Sequence, residues 1–157
     1  PAPRLVAALP STVGSGHTLR RDSACFLRSH LVLNSAYFLS RQNILDLGPE
    51  VDAVTARYDP PAGAPAASPV RVVLVTYPDA DRARRGFDGF RAAYLPEAPA
   101  DAAAEGTIVT PIEDGWAGAR RAGRALAIAL ECPDRAAAAA FLDAGLAALQ
   151  RAEAAHE

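Results

Sequence analysis

"RALAIALECPDRAAAAAF" occupies Arg124–Phe141 and holds, in order, an alternating apolar run, a Pro-Asp step and an Ala-rich segment closed by Phe. "VRVVLVTYPDADRARRGF", Val70–Phe87, repeats that design. Each run reads as a strand that Pro ends, because its ring fixes φ and keeps the preceding residue extended. Asp79 and Asp134 follow as N-caps, each carboxylate accepting from free amide groups of the first helical turn. The spacing of Ala80, Ala83, Phe87, Phe90 and Tyr94 predicts one amphipathic helix over about 79–95. Phe141, Leu142, Leu146 and Leu149 predict a second over about 134–152, with Gly145 on its buried face. A glycine there weakens a helix unless it marks a close backbone approach. The polar tail "QRAEAAHE" is expected to fray.

Between the repeats, Thr107–Ile112 reads as a strand and Glu113-Asp114-Gly115 as a turn. Trp116–Arg121 and Arg124–Glu131 read as a hairpin turning at Ala122-Gly123. Upstream, "EVDAVTARYD" is another strand, ending at Asp59. "PPAGAPAASP" (Pro60–Pro69) and "PEAPADAAAEG" (Pro96–Gly106) are loops. Along Ala125–Cys132, alternation puts Leu126, Ile128, Leu130 and Cys132 on one face, expected to meet the helices. The opposite face is mostly alanine, which calls for close cover by the N-terminal region or a second chain.

The expected fold is α+β. It has an antiparallel-rich sheet with both amphipathic helices on one face, ferredoxin-like or related. The 157 residues fit a single domain. Residues 51–157 form its α+β core, and residues 1–50 are a weakly patterned region packing on the sheet. "HLVLNSAYFLS", His30–Ser40, is read as strands turning at Asn34-Ser35, with a buried helix as the alternative. "VGSGHT", Val13–Thr18, lacks the Lys and preceding strand of a phosphate loop and is read as a turn.

Half the residues are apolar and the net charge is −2, a balance that argues against nucleic acid as partner. No apolar run is long enough for a transmembrane segment. Lys is absent beside sixteen Arg, which fits the codon usage of a GC-rich genome. Met is absent too. An opening without Met fits a removed secretory signal, a trimmed tether or an artificial boundary.

No phosphate loop, nucleophile elbow, HExxH or triad-like signature is present, so no catalytic or cofactor-binding residue is expected. His17, His30 and His156 lack metal-ligand spacing, and no metal is expected. The Glu113-Asp114 carboxylate pair sits where turns ordinarily place such residues. Cys25 and Cys132 are the only cysteines and too few for a zinc ribbon. They are the candidate disulfide of an exported chain, joining the N-terminal region to the last strand. Trp116, Arg120 and Arg121 are the candidate interaction residues. Trp is enriched at binding hot spots, and the two Arg flank the hairpin turn.

Several of these segments resemble a bacterial family, domain of unknown function 6599, over about the last two-thirds of the chain. The similarity is carried by Ala56-Arg57-Tyr58, Tyr77-Pro78, Trp116-Ala117-Gly118 and Gly123-Arg124. The resemblance implies an extracytoplasmic location, periplasm or cell envelope, and brings no activity or cofactor. The function expected first is a non-enzymatic envelope interaction or accessory domain, one subunit of a larger assembly, with a protein partner or a homo-oligomer. The alternative is a small-molecule-binding protein of the dimeric α/β-barrel kind, using the sheet face as pocket wall.

Overall fold

A computed structural model describes residues 2–14, 16–27, 29–61, 63, 69–98 and 106–156. The loops Pro60–Pro69 and Pro96–Gly106 fall largely outside these.

Valine dominates β4 (Val70–Thr76), and β7 (Ala125–Cys132) alternates large and small apolar residues. These two strands pair antiparallel at the centre of the sheet. Pro78 and Pro133 end them, as the sequence requires. Asp79 caps α3 (Ala80–Tyr94), its Oδ1 accepting from the Arg82 amide at 2.8 Å. Asp134 does the same for α4 (Arg135–His156), accepting from the Ala137 amide at 2.7 Å. β3 (Asp52–Asp59) pairs with β4. β5 (Thr107–Ile112) and β6 (Gly115–Ala122) complete a meander into β7, with positive φ at Gly115 and Gly123 where the chain turns.

The N-terminal region contributes to the sheet itself. β1 (Thr12–Val13) and β2 (His17–Phe26) extend it beyond β3, giving one antiparallel seven-stranded sheet in the order β1-β2-β3-β4-β7-β6-β5. Val13 pairs with His17 across the β1–β2 hairpin, so Val13, His17 and Thr18 of "VGSGHT" are strand residues, and Gly14 and Gly16 between the strands take positive φ. "HLVLNSAYFLS" is not a pair of strands: His30–Ala36 is a helix, α2, capped by the Ser29 hydroxyl. Its apolar run is too short for periodicity to separate the two states, and burial of Leu33 against the α3 side of the sheet selects the helix. α1 is Ala2–Ala8.

The fold is therefore α+β, with four helices among the described residues. The expectation that both long helices share one face is overturned, and the ferredoxin-like layout with it. Phe87 and Phe90 of α3 pack with Val73, Val75, Leu126, Ile128 and Leu130. Phe141, Leu142 and Leu149 of α4 pack with the opposite face, against Val72, Leu74, Ala127 and Ala129. The sheet thus separates two cores. Segment 29–51 helps close the α3 side through Leu33, Leu45 and Leu47, and Leu5 of α1 with Leu9 just after it closes the α4 side.

A bulge accounts for the difference. Trp116 pairs with Cys132 but Gly118 with Ala129, so β7 carries one extra residue there. Glu131 takes φ 60° to accommodate it. Strict alternation would leave Cys132 on the Leu126 face. The extra residue turns it over to the α4 side, while Tyr77, its counterpart before Pro78, stays on the α3 side. The two strand–Pro-Asp–helix units consequently leave the sheet in opposite directions.

The alanine face of β7 is explained by the same arrangement. α4 runs directly over it, and a Cβ at Gly145 would lie 3.1 Å from Ala127 Cβ. The tail does not fray. α4 continues to His156 because Ala152 is buried, Arg151 donates to the Ala8 carbonyl at 2.9 Å and Glu153 pairs with Arg124.

Candidate functional site

Among the described residues a cleft opens where the last turn of α3 meets the β5–β6 turn and the residue following α2. It encloses about 370 Å³. Tyr37, Tyr94, Glu97, Thr110, Glu113 and Asp114 supply its polar lining, with Leu95, Ala98 and Ile112 below them. That volume lies within the ordinary range of small-ligand pockets.

Each side chain is placed by a distinct element. Tyr94 ends the apolar stripe of α3 and stacks on Phe90, ring centroids 5.2 Å apart. Tyr37 is the C-cap of α2, and its hydroxyl meets that of Tyr94 at 3.3 Å. Glu113 and Asp114 are the exposed turn between β5 and β6, which Gly115 allows by adopting φ 123°. Burial holds the Tyr37 phenol above its ordinary range, with the Tyr94 hydrogen bond adding to it, so Tyr37 stays protonated.

Behind the cleft, Glu131 and Arg71 are half-buried. Burial raises the Glu131 carboxyl above the usual carboxylate range, and the charge of Asp114 raises it further; Arg71 acts in the opposite direction. Arg71 is itself held down by burial and supported by Tyr37 and Glu131. Glu131 is also the bulge residue, in a backbone conformation that L side chains seldom occupy. The cleft therefore combines a phenol pair and three exposed carboxylates, and the half-buried charges of Arg71 and Glu131 act on Tyr37 and with Asp114 from nearby. Such a surface can bind by hydrogen bonding and charge.

The residues singled out from sequence do not converge. Trp116 and Arg120 lie on the α4 side: the Arg135 guanidinium sits 5.2 Å from the Trp116 ring centroid, and Arg120 pairs with Asp143 of α4. Arg121 alternates to the other side of β6, and its buried Nε has no hydrogen-bond partner among the described residues.

Cys25 and Cys132 form no disulfide; both are free. Cys25 pairs with Thr55, three strands from β7 and on the α3 side, whereas the bulge turns Cys132 to the α4 side. Three strand spacings are about 14 Å, roughly twice what a disulfide spans. Burial pushes the Cys132 thiol up to about 12.

Sequence reasoning noted Glu113 and Asp114 but not Tyr37, Arg71 or Glu131. No local pattern marks them, because α2, β4 and β7 meet only in the fold. Among the described residues, no group of His, Cys, Asp and Glu could hold a metal ion, and no helix is long and apolar enough to cross a membrane. The chain matches no protein-family model, no curated protein and no solved structure.

Proposed function

We propose that this chain is a non-enzymatic interaction module of the bacterial cell envelope, one subunit of a larger assembly. The observation that carries the reading is the placement of its exposed large apolar side chains. Among the described residues these are Phe26, Leu31 and Phe38, at 38%, 68% and 61% exposure. All three fall in one short stretch around α2. Large exposed apolar residues scattered singly need no explanation, but a concentration of them favours a contact surface. Phe38 follows directly on Tyr37, which lines the acidic cleft. A partner protein offering an apolar patch beside basic groups complements that combination better than a second copy of this chain, which would bring its own carboxylates. The envelope location rests on the resemblance to domain of unknown function 6599.

Both faces of the sheet are covered within the chain, so ligand binding on an open sheet face has little room. The small-molecule reading is better supported at the cleft, whose volume favours it.

A photo-crosslinking amino acid at Leu31 or Phe38, introduced in the native cell, tests the proposal. One heterologous product from both positions, none from Gln150 on α4, and loss of that product when the other position is changed to Asp is the result expected. A homodimer product, or none, overturns it. Recovery of the protein in the cytoplasmic fraction overturns the envelope assignment.

A further inference from the structure

The cleft has a definite electrostatic character. Its described lining includes Glu97, Glu113 and Asp114 and no Arg or His. None of the three carboxylates is engaged in an ion pair among the described residues. Elsewhere the chain pairs its acids freely: Asp46 and Glu50 with Arg82, Asp59 with Arg20, Asp143 with Arg120. Half-buried Tyr37 and Tyr94 line the same cleft as these carboxylates, their hydroxyls joined. Phenol oxygens can accept from an N–H donor, and aromatic rings attract cations. Apolar Leu95, Ala98 and Ile112 suit an alkyl stem.

We infer that the cleft between the C-terminal turn of α3 and the β5–β6 turn is a socket for an organic cation, a guanidinium or primary ammonium on a short alkyl stem. The stem lies on the apolar base, and the cationic head reaches the tyrosine hydroxyls and the carboxylates of Glu113 and Asp114. The inference rests on the reading of the chain as an interaction module and gives the chemistry its partner would offer there: an Arg or Lys side chain, or the same group on a free metabolite.

The test uses the whole chain and two probes, agmatine and a capped Arg-containing tripeptide, with the citrulline tripeptide as neutral isostere. Amide shifts in NMR titrations should move at Tyr37, Tyr94, Thr110 and Ile112. The affinity should fall with added salt, since exposed charge pairs are screened. E113Q/D114N, confined to an exposed turn, should weaken binding about tenfold at unchanged Tm. Binding of agmatine alone assigns a free metabolite, and binding of the peptide alone assigns a partner side chain. No localised shifts at millimolar probe, equal binding of citrulline, or no effect of E113Q/D114N overturns the inference. A crosslinked partner whose binding ignores E113Q/D114N overturns the socket while leaving the interaction module standing.

Discussion

Gly145 of α4 sits directly over Ala127 of β7, with no space for a side-chain carbon between the helix and the sheet. A Cβ on Gly145 would lie 3.1 Å from Ala127 Cβ and 2.7 Å from Leu74 Cδ2. Helix propensity alone would make Gly145→Ala stabilising by up to about 1 kcal/mol. The contact reverses the sign, because Ala127 has no rotamer to yield and Leu74 is enclosed. Gly145→Ala is expected to lower stability by about 1 kcal/mol in urea unfolding, and Ala127→Val by roughly 1–3 kcal/mol. A stabilised Gly145→Ala would mean that α4 stands further off the sheet.

On the opposite face, Tyr77 holds segment 43–51 to α3. Its hydroxyl donates to the Leu45 carbonyl at 2.5 Å, and a Cβ at Gly86 would fall 2.2 Å from that oxygen. Tyr77→Phe strands a buried carbonyl and should cost roughly 1–3 kcal/mol. Gly86→Ala should displace the same hydroxyl and destabilise by a similar amount. The double variant should cost less than the sum of the two, since both remove one interaction. Full additivity in a double-mutant cycle would separate the two effects and refute the shared contact.

His17 makes stability depend on pH. It is buried edge-on against Phe141, and its Nε2 has no partner among the described residues. Burial holds its pKa below the ordinary value, with Asp134 partly opposing. The neutral ring is therefore the folded form. Its contribution is complete above about pH 6.5, where the unfolded chain is also neutral. As pH falls below that value the unfolded state takes up the proton first, and stability declines towards the folded pKa. Urea midpoints at pH 8 and pH 5 should differ more for the native chain than for His17→Leu. Equal differences would show that His17 is not the group responsible.

The two cysteines should behave independently. Cys25 is partly exposed, while Cys132 is buried with its thiol raised to about 12. Alkylation of unreduced native protein should modify Cys25 alone, and denaturant should release Cys132. Resistance of both residues, together with the loss of two hydrogens in the intact mass, would restore the bridge and contradict the strand order.

Leu142 and Leu146 separate the two ways of reading α4. The apolar spacing treats them as equivalent core positions, but Leu142 is fully buried and Leu146 only partly so. Leu142→Ala should cost roughly 2–5 kcal/mol, and Leu146→Ala distinctly less. Equal losses in thermal unfolding would mean that α4 is rotated from the position described.

Much of the local structure was legible in the chain, because its causes are local. Pro78 and Pro133 end strands by their own ring geometry. Asp79 and Asp134 cap with carboxylates three residues from the amides they reach. Gly123 turns the hairpin through its own backbone freedom. Those effects need no distant partner, and the predicted bounds of α3, β5, β6 and β7 agree closely with the observed ones. The face each helix covers is a different matter. It depends on one extra residue at Glu131, and nothing in "ALEC" distinguishes a bulge from regular alternation. The bulge exists because β6 pairs with β7 in a register that skips a residue, a relation between two strands. The same holds for "HLVLNSAYFLS", whose first seven residues become helical because Leu33 finds a core on the α3 side, and for the tail, which stays helical because α1 meets it. The cleft is the furthest from local legibility: Tyr37, Tyr94 and Asp114 come from three separate segments. Propensity and capping act over a few residues, whereas faces, registers and cavities arise from contacts between distant ones, and these form only when the sheet has assembled.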